Sequence, residues 1–409
     1  MGYVYNMDVY IARQPVFDIH LKVYGYELLY RKTQENRFLS TDADEATSNV
    51  IINSFNVLGI ENLTAGKRAF INFTGNLLEQ NVATLFPKDV LVVEILETVE
   101  PESKTVEACK QLKHDGYLLA LDDFVCDEKY LPFVELADII KVDFRLTEKA
   151  ELRSIIRRLS NGRIRFLAEK VETQEEFEMA KKYGYTLFQG YFFSKPVIQP
   201  VGEIPPNKLN NLRLLELLNK PDVEFAQLSS IVSNDISLSY KLLRLINSSA
   251  FGLRTKIESV KHALVMLGIK ELKKWLSLIT MRGLSENKPD ELVRLSLIRA
   301  KMLEELAIIL DWKKEEDELF LLGLFSCLDV LLNRPLAELL EGLLVSDEIK
   351  DALLRQEGLY GFLFSLVVEH EKGHWEEVNH LVALLNLDTK YITPSYLDAV
   401  TWCSGILDV

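Results

Sequence analysis

Val90 to Asp123 reads VLVVEILETVEPESKTVEACKQLKHDGYLLALDD, and this stretch decides the fold of the first half of the chain. It opens on a β-rich apolar run, Val90 to Ile95. It then passes through Lys104 to His114, where apolar residues recur at helical spacing, and closes on a second run, Leu118 to Leu121. Strand, helix, strand is the repeating unit of a parallel sheet. Each run meets acid near its end, Glu94 in the first and Asp122–Asp123 after the second.

The alternation extends on both sides. Further strand candidates are Asp8 to Ile11, Val23 to Leu29, Ala69 to Phe73, Ile139 to Val142, Ile164 to Ala168 and Thr186 to Gln189, with Glu45 to Leu58 as another helix. Eight strands with helices between them fit a (β/α)8, TIM-like barrel better than an open sheet. The first two strands are separated only by a turn-like stretch around Asp18, too short for a crossover helix. They are therefore expected to pair antiparallel, which makes this a modified α/β barrel with its first strand reversed.

After Phe193 the chain reads SKPVIQPVGEIPPNK, whose prolines predict a stiff extended connector. From Leu209 onward strand signals disappear. NNLRLLELL, IVSNDISLSYKLLRLIN, VKHALVMLGIKELKKWLSLI and LIRAKMLEELAIIL place apolar residues at helical spacing, so the second half is expected to be an all-α domain. The expected domains are 1–198 and 199–409. Asn234–Asp235 and Ser259 resemble helix starts; Gly252 and Gly268 resemble helix ends or turns.

With 409 residues, the chain exceeds one ordinary core, which agrees with two domains. Its formal net charge of -14 argues against a nucleic-acid polymer as partner, because such binders show a basic face. A small phosphorylated ligand stays open, since bound metal ions invert the local charge. The N-terminus lacks the basic start and apolar core of a secretory signal, and stretches such as Leu319 to Leu328 are too short to span a bilayer. Cys109, Cys126, Cys327 and Cys403 show no metal-ligand spacing and read as reduced thiols. Together these predict a cytoplasmic protein with no membrane insertion.

In a β/α barrel, active residues stand at the C-terminal ends of strands. Those ends carry Glu27, Asn72, Glu94, Asp122 and Asp123, Lys141 and Asp143, Glu169, and Gln189. Carboxylates beside apolar runs are costly to bury unless paired or bound to a cation. Oxygen ligands converging on one rim suit Mg²⁺ or Mn²⁺, which would neutralise phosphate oxygens and generate a hydroxide nucleophile. Lys141 adds a fixed positive charge for a phosphate or a developing leaving oxygen. Singly, each residue has a plainer reading: Asp143 as a helix cap, Glu97 as a surface charge. The ordered set is the signal.

Over residues 8 to 196 the chain resembles the EAL phosphodiesterases of cyclic di-GMP signalling. The resembling motifs are YELLYR (Tyr26 to Arg31, with Leu28 in place of alanine), NFT at Asn72, EILE at Glu94 to Glu97 and DDF at Asp122 to Phe124. They continue with DIIKVD, AEKVET at Ala168 to Thr173 and QGYFFSKP at Gln189 to Pro196. The resemblance implies hydrolysis of cyclic di-GMP to linear pGpG. It implies metal ligation by Glu27, Asn72, Glu94 and Asp122, with Asp123 at a second metal, and Glu97 in support of that set. Glu169 would orient or deprotonate the attacking water, helped by Lys141. Gln189, Arg31 and Asp143 would contact substrate.

Two departures stand beside it. After DDF the family continues with a glycine-containing loop, whereas here Val125 to Tyr130 reads VCDEKY, with no glycine to permit a left-handed turn. Lys170 stands where the family has glycine, next to the implied base. Neither change removes an implied ligand, so the expectation is an active, slowed enzyme. The alternative is a catalytically inactive sensor or scaffold that binds cyclic di-GMP or a protein partner.

The helical half, from about Leu212 to Ile279, resembles the HDOD domain, a helical relative of HD phosphohydrolases. Where a catalytic His-Asp pair would lie the chain reads GLFSCLD, with Ser326 and Cys327 in its place and Asp329 two positions late. No hydrolase is expected there. The resemblance implies a platform for a protein partner or for a homodimer. His370 and His374 have zinc-compatible spacing on a helix, but with His380 they read as exposed polar residues. Trp275 and Trp312 read as core.

Overall fold

The computed structural model describes residues 9–32, 60–160, 162–195, 206–220, 222–247, 257, 259–285, 288–343 and 345–407. The chain separates into two compact units, Met1–Lys195 with Glu369–Glu376, and Pro196–Val368 with Glu377–Val409.

The first unit is a closed barrel of eight strands: β1 (Val9–Asp18), β2 (Val23–Lys32), β3 (Arg68–Phe73), β4 (Leu91–Ile95), β5 (Leu118–Leu121), β6 (Ile139–Asp143), β7 (Arg165–Glu169) and β8 (Leu187–Gln189). From β2 to β8 every neighbouring pair is parallel, while β1 runs antiparallel to both β2 and β8. The Asp18 carboxylate explains the tight reversal between β1 and β2, because its Oδ1 accepts the backbone N–H groups of His20 and Lys22. The first strand runs well past the expected Asp8 to Ile11, straight through Pro15. That proline is tolerated because β1 meets β8 only at Val16–Asp18, which leaves one side of the strand unpaired at Pro15. The helix read over Glu45 to Leu58 lies outside the described residues, whereas the one read over Lys104 to His114 is Ser103–Asp115.

The barrel interior is layered, and the layers follow from the two-residue period of a strand. One layer is apolar: Val16, Phe70, Val92, Ala120, Ile139, Leu167 and Leu187, all buried. Two residues further along β3, β4, β6, β7 and β8, on the same face, stand Asn72, Glu94, Lys141, Glu169 and Gln189. The same step past Ala120 in β5 reaches Asp122. In the reversed β1 the step goes the other way, from Val16 to Gln14. Strand β2 has glycine at this level because the Phe70 ring fills the space: a Cβ on Gly25 would lie 2.7 Å from that ring and from the Arg68 carbonyl. Glu27 follows two residues on. The apolar floor thus fixes the heights of the polar side chains above it.

The second unit is helical. The prolines of the expected connector lie outside the described residues up to Pro206, which begins helix Pro206–Leu218, three residues before the expected start. Asp235 Oδ1 accepts the Leu238 N–H at the head of Ile236–Ile246, and Ser259 caps Val260–Leu284. Gly268, at φ +73°, breaks that last helix in two. Gly252 is outside the described residues. Asp290–Ile309 packs on Glu316–Phe325 so closely that a Cβ at Gly323 would meet the Ala300 nitrogen at 2.3 Å. Trp275 is buried and Trp312 half-buried. Among the described residues no helix is long and apolar enough to cross a membrane.

Candidate active site

The polar layer at the barrel rim is organised around one ammonium group. Lys141 Nζ lies 2.7 Å from Glu94 and Asp122, 2.9 Å from Glu169 and 3.3 Å from Glu27. Glu27 is further held by Gln189 Nε2 at 2.7 Å and Asn72 Nδ2 at 3.4 Å, and the same Gln189 amide reaches Gln14 Oε1 at 3.0 Å. Apart from Asp122, these charged groups are almost wholly buried: Lys141 is 1% and Glu94 0% exposed.

Burial and charge act in opposite directions here. Burial lifts the Glu94 carboxyl well above the usual carboxylate range, with Glu27 adding to the rise. Burial also raises Glu169, to about 8, against the pull of Lys141. For Lys141 burial works downward, but Asp122, Glu169, Glu27 and Glu94 together hold it well above its ordinary value. Four carboxyl groups crowded on one ammonium in a poorly solvated place hold protons that a further cation would displace.

Among the described residues no three His, Cys, Asp or Glu side chains stand as a ready-made cation cage, and the Lys141 ammonium occupies the centre of the ring. The donor atoms nevertheless fit a divalent ion. Asn72 Oδ1, Glu94 Oε2, Asp123 Oδ1 and Glu169 Oε2 are buried with no hydrogen-bond partner, and all are hard oxygen donors. Orphaned buried oxygens of this kind are costly unless a cation takes them up. The cavity above them measures about 630 Å³, within the range of small-molecule sites, and is lined by Glu27, Asp122, Asp123, Glu169, Lys170 and Gln189 among others.

The strands bring Glu27, Asn72, Glu94, Asp122, Lys141, Glu169 and Gln189 together. Asp123 stands beside them at φ +39°, in the left-handed region that a side-chain-bearing residue seldom adopts. The loop that follows is pinned: Asp127 accepts the Lys129 N–H, Lys129 pairs with Glu100, and the Tyr130 hydroxyl donates to the Glu97 carbonyl. Glu97 itself is exposed, and its carbonyl is what this loop engages. Arg31 shares the face of Glu27 but lies four residues further on, roughly 13 Å along the strand. Asp143 is turned to local duty: Oδ1 accepts the Arg145 and Leu146 N–H groups, and Oδ2 accepts Lys170. These partners hold it below the usual carboxylate range although burial works the other way.

Two contributors escape a reading of strand ends. Gln14 belongs to the reversed strand, and its signal was the antiparallel register that sets it opposite Glu27. Tyr30 donates its hydroxyl to the Asn72 carbonyl at 3.1 Å; burial, with Glu94 and Glu27 beside it, raises its phenol.

In the helical unit, Ser326 and Cys327, which the sequence reading set where a His-Asp pair would lie, meet a cation. The Arg299 guanidinium lies 3.2 Å from Ser326 Oγ and 3.7 Å from Cys327 Sγ, and it is buried. A fixed guanidinium repels a divalent ion. The histidine reading needs correction. His370 is fully buried, and burial lowers it to about 3; Lys372 ends its helix, so exposed His374 lies beyond that helix and pairs with Glu369 instead. His380 is exposed as expected.

The EAL domain pattern matches residues 6–196, and the HDOD domain pattern matches 204–357. Cyclic di-GMP phosphodiesterase CdgJ of Vibrio cholerae is 38% identical, over 97% of this chain and 93% of that protein. YuxH of Bacillus subtilis is also 38% identical, over 98% of this chain and 100% of that one. Among solved structures, the manganese and cyclic di-GMP complex of Klebsiella pneumoniae BlrP1 is 22% identical, at a TM-score of 0.39, over 47% of this chain and 57% of that one. An EAL domain protein of Listeria monocytogenes is 20% identical, at a TM-score of 0.37, over 46% and 89%.

Proposed function

The chain belongs to the family that joins an EAL domain to an HDOD domain, and from that premise we propose that it is a divalent-metal-dependent phosphodiesterase opening cyclic di-GMP to linear pGpG. The observation that carries the proposal is the ring of buried rim oxygens left without partners on Asn72, Glu94 and Glu169.

In this reading Glu27, Asn72, Glu94 and Asp122 would hold the ion, with Asp123 beside them. Mg²⁺ or Mn²⁺ bound there would neutralise phosphate oxygens and make water a stronger acid. Glu169, freed of its own proton once the ion is taken up, would accept the proton of the attacking water. Water's oxygen bonds to phosphorus, one phosphorus–oxygen ester bond breaks, and the Lys141 ammonium steadies the departing oxygen. Gln189 holds Glu27 in place and faces the substrate, and Arg31 reaches an outlying phosphate. The silent-scaffold alternative is not favoured, since the near full-length relative CdgJ is a cyclic di-GMP phosphodiesterase.

The test is turnover of cyclic di-GMP by the purified chain with Mn²⁺ or Mg²⁺, following pGpG by chromatography. Glu27→Ala and Glu169→Ala are expected to lower the rate by about 10²-fold or more. Unchanged turnover in either variant sinks the site assignment, and no turnover by the parent chain sinks the proposal.

A further inference from the structure

Two ammonium groups divide the rim carboxylates between them. Lys141 gathers Glu27, Glu94, Asp122 and Glu169. Lys170 takes the other pair: it hydrogen-bonds Asp143 Oδ2, and its Nζ lies 3.9 Å from Asp123 Oδ2. Backbone geometry sets it there. Lys170 directly follows Glu169 and sits at φ +53°, a conformation that a side-chain-bearing residue rarely adopts. Asp143 is a fixed anchor, because both its oxygens are engaged, Oδ1 by two backbone N–H groups at 2.6 and 3.0 Å. Asp123, by contrast, keeps Oδ1 buried with no hydrogen-bond partner. The tethered charge therefore stands near one oxygen, Oδ2, of a carboxylate whose other oxygen is ready to bind a cation. At such a distance in a half-buried place it repels an incoming divalent ion.

We propose that Lys170 is a built-in counter-ion for Asp123, so that without substrate the chain takes up one divalent ion among Glu27, Asn72, Glu94 and Asp122, while the ammonium holds the place of a second. This rests on the metal reading given above and deepens it. Lys170 acts through Asp123 and is a positioning residue.

The test is a titration of the metal-free, full-length chain with MnCl₂ in the absence of nucleotide, reading free Mn²⁺ by electron paramagnetic resonance. The parent chain is expected to bind one ion. Lys170→Met, which keeps length and removes charge, is expected to bind two, the second about 10- to 100-fold more tightly than any second ion in the parent. Lys170→Gly, which also relieves the left-handed backbone, is expected to match it, and circular dichroism checks that both variants fold. Two ions in the parent overturn the proposal. One ion in all three chains overturns it too while leaving the metal reading intact, and none in any chain overturns both.

Discussion

At the scale of single residues, the rim behaves as a proton store that a cation empties. Glu169 is raised from an ordinary carboxylate value to about 8, so the metal-free folded chain keeps a proton that the unfolded chain has lost at neutral pH. Its contribution to stability is complete below pH 4.5 and is lost as pH rises through about 8. A divalent ion needs the deprotonated form. Mn²⁺ binding at pH 7 is therefore expected to release protons, seen as a calorimetric heat that scales with the buffer's ionisation enthalpy. Its apparent affinity should climb with pH and level off above about 8. Heat independent of buffer would remove Glu169 from the binding event. The charged members of this ring were legible as acids at strand ends; their sharing of one lysine was not, because distances between side chains on different strands leave no trace in spacing.

At the scale of elements, each rim group stands two residues beyond a floor side chain, so packing below and chemistry above are one design. Gly25→Ala tests this. The new Cβ would press on the Phe70 ring and the Arg68 carbonyl at 2.7 Å, where overpacking costs about 1–3 kcal/mol. A lowered melting temperature and reduced phosphodiesterase turnover are expected together, because Phe70 lies two residues below Asn72 and Gly25 two below Glu27. Full activity with full stability would show that floor and rim are independent. The eight strands and the reversal of the first were readable from alternation and from a connection too short for a helix. The true length of β1 was not, since Pro15 argues against a strand until the gap in its pairing with β8 is known. Nor was the burial of His370, which depends on folded surroundings and not on its own segment.

At the scale of the whole molecule, the chain joins an EAL domain to an HDOD domain, and the described residues of the two units differ in what their candidate sites hold. The strand ends carry unpartnered oxygens, whereas the corresponding place in the helical unit carries a buried guanidinium. Full-length Glu169→Ala protein should accordingly show no metal-dependent cleavage of bis(p-nitrophenyl) phosphate. Residual cleavage that survives Glu169→Ala and vanishes with Ser326→Ala would place a second centre among the helices. The two-residue step from floor to rim also bears on how such a chain can change over generations. One codon gained or lost inside a strand would swap every ligand beyond it for a side chain facing the outer helices. The same event in a connecting loop leaves the count intact. Lineages of this barrel are thus free to lengthen, shorten and rewrite their loops, while their strands are held to a fixed tally of residues.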